Sequence, residues 1–192
     1  MEIQQLNPIV TFDEVFNWLN QFQGAEDFLS PFTKQWLNNT TYALSLGHYA
    51  RCRALIEQLY GQLPALHLPE AQMDIAETAL NCARIYIRMG DYRPALRCLQ
   101  QALTLYEINP HNQAVTRWMI GCVYWMLPDR YNDALGAWQM AQSAFAELAI
   151  RGTTAPVFAR WYDQRNKELA ESIRFAIKKL PERISAPYSV IE

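Results

Sequence analysis

The chain has 192 residues, 51% of them hydrophobic and 12% aromatic, with 17 Lys+Arg against 19 Asp+Glu. That composition supports one domain with a buried core and excludes a disordered chain. A net charge of −2 gives no bulk attraction to nucleic acid or to an anionic membrane, and no apolar run approaches the ~20 residues that span a bilayer.

Helical periodicity fills almost everything between the prolines and glycines, and strand or hairpin signals are missing. A first helix is expected after Thr11, through "FDEVFNWLNQF" to Gly24. A second begins at "SPFTKQWL", where Ser30 caps and Pro31 occupies the first helical position, and it ends near Gly47. A third covers Tyr49 to Leu63, and the two prolines of "GQLPALHLPEAQ" mark a loop. Ala71–Met89 and Tyr92–Glu107 follow, then the break "INPHN". Gln113–Met126 and Tyr131–Ile150 come next, then the break "RGTTAP". A last helix over Val157–Leu180 is expected to stop at Pro181, ahead of a loose tail.

The turns recur. "LGHY" ends at Tyr49, "MGDY" at Tyr92 and "LPDRY" at Tyr131, spaced 43 and 39 residues apart. Two helices per unit at such a period indicate a helical solenoid. Gly90 suits the left-handed conformation that ends a helix, Asp91 suits the cap of the next, and Pro94 falls in its first turn. Ala95 and Ala102 lie two turns apart on one face, where small side chains let helices approach closely.

These residues resemble a tetratricopeptide repeat, in a variant with long helices. Ala83, Tyr86, Gly90, Asp91, Tyr92, Ala95 and Ala102 match the motif in the middle unit, and Gly121, Tyr124, Tyr131, Ala134 and Ala141 in the third. The first unit, with Trp36, Gly47, Tyr49, Cys52 and Leu59, is more degenerate. Cys52 and Leu59 exceed the small residues the motif asks for, so this unit is expected to pack more loosely. The resemblance implies an all-α, right-handed α-α superhelix. Its expected parts are an N-terminal helix over 1–29, repeats over 30–63, 70–109 and 111–150, a capping helix over 155–181 and a tail over 182–192.

The resemblance also implies a concave groove, lined by the first helix of each unit, that holds a peptide or helix of a partner protein. By register, Asn38 and Asn81 fall where an asparagine can hold the main chain of an extended peptide, since one amide both donates and accepts. Met119 interrupts that ladder. One turn on stand Thr41, Arg84 and Cys122. Arg84 and Arg88 share a face and can take a partner's carboxylate, or pair internally with Glu77 or with an acid in the next helix. Leu80, Trp118, Cys122 and Trp125 complete the expected partner-binding set. For the two tryptophans the alternative is packing beneath the last helix. If Asn81 and Arg84 face solvent, replacing both with alanine moves stability by no more than about 0.5 kcal/mol.

Chemistry has little support. His48, His67 and His111 fall in expected turns without a second ligand at metal-like spacing, and phosphate-binding, nucleophile-elbow and zinc motifs are missing. His48 and Cys52 lie four apart, but no orienting third group accompanies them. Cys52, Cys82, Cys98 and Cys122 read as reduced, buried thiols. The expectation is a non-catalytic, cytoplasmic adaptor or scaffold with no cofactor, a protein or peptide partner, and no nucleic acid or membrane. The start "MEIQQLNPIVTF" is not patterned as a secretion signal. The alternative is a dedicated chaperone or self-assembling subunit of a larger bacterial complex, as a homo-oligomer or one component.

Overall fold

Two glycines with left-handed backbone, Gly47 (φ 71°) and Gly90 (φ 76°), set the frame of the molecule. Each ends a helix the same way. The residue after the glycine donates its N–H five residues back, His48 to the Ala43 carbonyl at 3.0 Å and Asp91 to the Tyr86 carbonyl at 2.9 Å. Carbonyls left over at the helix end are thereby satisfied.

The computed structural model describes residues 31–62, 71–106, 110–151 and 156–185. Among the described residues there are seven helices and no strand: α1 Pro31–Ser45, α2 Tyr49–Gln62, α3 Ala71–Arg88, α4 Tyr92–Leu105, α5 Pro110–Trp125, α6 Tyr131–Ile150 and α7 Pro156–Ser185. The expected N-terminal helix over 1–29, the stretch 186–192 of the tail, and His67 lie outside them.

Two boundaries differ from expectation. The break "INPHN" is narrower, because Pro110 opens α5 as its first residue, where a missing N–H costs nothing. His111 therefore sits in a helix rather than a turn. At the other end, α7 runs through Pro181 to Ser185. Proline removes the N–H that would reach the carbonyl of Ile177, and Ile177 and Pro181 both face solvent, where water can serve that carbonyl.

The helices pair as hairpins, α1 with α2, α3 with α4 and α5 with α6. Then α1 lies on α3, α4 on α5, and α7 closes the far end against α6. The small residues work as spacers. Ala83, Ala95 and Ala102 are fully buried in the middle pair, as are Ala134 and Ala141 in the third. Gly121 faces the Trp138 ring so closely that an added Cβ would stand 2.5 Å from the indole Nε1.

The third turn has no left-handed glycine. It is a residue longer, carries Pro128, and is clasped by Arg130, whose guanidinium lies 4.4 Å over the Tyr124 ring and pairs with Asp133. In the first pair, Cys52, Ile56 and Leu59 are buried, and the Cys52 thiol donates to the Thr40 carbonyl at 3.5 Å.

Candidate functional site

Helices α1, α3 and α5 are the first members of their pairs, so the expected groove residues fall on them. On α1, Asn38 and Thr41 are exposed on one face. On α3, Arg88 is exposed, Asn81 and Arg84 are half-buried, and Leu80 is inside the core at 2% exposure.

The α3 residues form a connected polar cluster. Asn81 Nδ2 donates to the Glu77 carbonyl at 2.8 Å, and Asn81 Oδ1 accepts from Arg84 Nη1 at 3.0 Å. The backbone bond fixes which way round the amide sits, and the amide then fixes the guanidinium. Below it, Glu77 is 1% exposed. Its Oε1 accepts from the Tyr106 hydroxyl at the end of α4 and from Asn112 Nδ2 of α5 at 3.1 Å.

The electrostatics follow from burial. Desolvation pushes the Glu77 carboxyl up, opposed by the Tyr106 hydrogen bond and the Arg84 charge. Desolvation also lowers Arg84 to about 10, opposed by Glu77. Tyr106 is raised by burial and then by the Glu77 charge, so its proton stays on the phenol. An acid and a base thus share one low-dielectric region, each limiting the cost of burying the other. Arg84 hydrogen-bonds to Asn81, and Glu77 acts on it through its charge.

The third unit turns inward. Trp118, Cys122 and Trp125 are buried at 2%, 0% and 1% exposure, so they are core rather than groove surface. Trp118 meets Phe145 of α6 edge-on at 6.2 Å, and Trp125 packs on Tyr131 at 5.2 Å and Trp138 at 5.6 Å. Burial pushes the Cys122 thiol up to about 12, so it is no nucleophile. Phe145 in turn stacks on Tyr162 of α7 at 6.2 Å. The tryptophans pack chiefly on α6, and α7 extends that aromatic layer. Met119, the gap in the asparagine ladder, is fully buried here too.

Sequence reasoning missed Tyr106, Asn112 and the Arg53–Asp91 pair. One signal was present: Glu77 stands between Ala76 and the run Thr78–Ala79–Leu80 on a helix otherwise patterned for burial. His111, largely buried in the first turn of α5, meets the Tyr162 hydroxyl through Nδ1 at 3.0 Å, and desolvation lowers it to about 4. All four cysteines are buried thiols outside any disulfide. Among the described residues no group of His, Cys, Asp or Glu could hold a metal ion.

Residues 74–147, from α3 nearly to the end of α6, match the family model described as tetratricopeptide repeat. That match supports a tetratricopeptide-repeat assignment for these two hairpins, and the all-α stack of helical hairpins is consistent with that repeat fold. No curated protein matches the chain. Such repeats are generally protein–protein interaction modules and typically lack catalytic activity. Among the described residues no helix is long and apolar enough to cross a membrane.

Proposed function

We propose that this chain is an adaptor that captures a peptide or helix of a partner protein along the inner faces of α1 and α3. The observation that carries the reading is a half-buried cation of fixed direction beside an exposed one on the same helix. Arg84 is held by Asn81 beside Glu77, and Arg88 stands exposed one turn away on the same helix. Asn38 and Thr41 add exposed hydrogen-bonding groups on α1, which lies against α3. A guanidinium with a fixed direction loses little entropy when it meets an acidic or carbonyl oxygen.

Asn81 contributes differently from Asn38. Its carbonyl oxygen and one N–H are used within α3, so it aims Arg84 and has one N–H left for a partner. Trp118, Cys122, Trp125 and Leu80 are core residues and take no part in the surface. Nothing in this reading calls for a cofactor.

The test begins with the intact chain as bait, identification of what it retains, and a peptide cut from that partner. Affinity is then measured for wild type, Arg88→Ala and Asn38→Ala. A charge-assisted hydrogen bond is worth about 1.5–3 kcal/mol, so Arg88→Ala should weaken binding by roughly 10- to 100-fold with an unchanged melting temperature. Full affinity in both variants removes this face from the account.

A further inference from the structure

We infer that Arg53 and Asp91 form a salt-sensitive latch between the first and second hairpins, and that on its release α1–α2 opens as a unit while the remaining hairpins stay folded.

The contact is a two-pronged fork. Arg53 Nε donates to Asp91 Oδ2 at 2.6 Å and Arg53 Nη2 to Asp91 Oδ1 at 3.0 Å. It joins the second turn of α2 to the turn between α3 and α4, across 38 residues of sequence. Hydrogen bonding to Asp91, and then its charge, raise the Arg53 pKa.

Pro94, three residues on, removes one of the two N–H groups that the Asp91 carboxylate could cap. Asp91 holds the cap position of α4, yet its side chain makes no capping hydrogen bond. A capping carboxylate bonds the N–H of the second or third helical residue, and the third here is Pro94, which has none. The carboxylate bonds Arg53 of the preceding repeat instead of capping.

Two contrasts make the fork a latch rather than one contact among many. The first hairpin is braced within itself, Trp36 Nε1 donating to the Leu55 carbonyl at 2.7 Å and the Cys52 thiol to that of Thr40. It therefore moves as one body. Among the described residues its main packing on the second hairpin is α1 against α3, which is sparser than the α4–α5 packing that, together with the buried Glu77 cluster, joins the second and third hairpins. The fork is also exposed, with side-chain accessibilities of 45% for Arg53 and 24% for Asp91. Salt screens an exposed pair and leaves a buried cluster nearly untouched. The latch sets the spacing of α1 and α3. Its consequence for a partner rests on the function proposed above, but the latch itself does not.

Hydrogen exchange of the full chain at neutral pH, followed by mass spectrometry, tests this without a partner. Between about 0.1 M and about 1 M sodium chloride the screening length falls from ~10 to ~3 Å. Peptides from 31–62 should then exchange about 2- to 5-fold faster, with those from 110–151 unchanged. Arg53→Ala in low salt should reproduce the effect and abolish its salt dependence, and the exchanged pair Arg53→Asp with Asp91→Arg should restore both. Wild-type exchange over 31–62 in Arg53→Ala, or acceleration spread equally over 110–151, overturns the inference.

Discussion

Arg84→Ala is the most informative perturbation of the buried cluster. It deletes the cation beside Glu77, removes the donor to Asn81 Oδ1, and leaves a carboxylate at 1% exposure without its counter-charge. Breaking a buried pair from one side costs ~3–5 kcal/mol. Arg84 keeps partial exposure and Glu77 keeps two donors, so the loss should be about 2–3 kcal/mol, a large share of the ~5–15 kcal/mol that holds a domain together. Denaturant unfolding monitored by tryptophan fluorescence reads it as a shifted midpoint at constant slope. Adding Glu77→Gln keeps an acceptor for Tyr106 and Asn112, removes the stranded charge, and should recover more than half of the loss.

The pH dependence has a definite sign. A carboxyl raised in the folded state supports stability below its unfolded pKa and loses that support as pH rises through the folded value. The cost of Arg84→Ala should therefore be larger at pH ~8 than at pH ~5. A loss under about 0.5 kcal/mol at both, as for a solvated surface residue, refutes the cluster as described.

Gly121→Ala drives a methyl group into the Trp138 ring and should cost about 1–3 kcal/mol in thermal unfolding, with partial rescue by Trp138→Phe. Ala95→Leu overfills the α3–α4 contact and should cost a similar amount, about 1–3 kcal/mol. His111, lowered to about 4 from 6.5, supports folding above its unfolded pKa and ceases to as pH falls toward 4. Wild type should lose stability across that window by more than His111→Asn, as measured by unfolding free energy at fixed pH steps.

Much of the stack was legible because its cues are local. Gly47 and Gly90 announce left-handed helix ends, and Ala95, Ala102, Ala134 and Ala141 announce close helix contacts, whatever surrounds them. The ends of α5 and α7 were less so, since prolines at 110 and 181 are compatible with helix or break depending on solvent access. The candidate site was legible only on its outer strip. Asn38, Thr41 and Arg88 are exposed, but Cys122, at the register of Thr41 and Arg84, is buried, and so are Trp118 and Trp125. Helical period gives the face a residue points to, and cannot say that α6 brings Phe145 and Trp138 to meet it. Asp91 shows the same limit. Its position predicts a cap, Pro94 removes a donor, and the partner it takes lies one repeat away.

The central claim is that the inner faces of α1 and α3 hold another polypeptide. Its most direct test is the exchange footprint of a captured partner on the full chain. The account predicts protection confined to residues 34–45 and 81–89. Protection on the outward faces of α2, α4 and α6, with those two stretches exchanging as in the free protein, would contradict it.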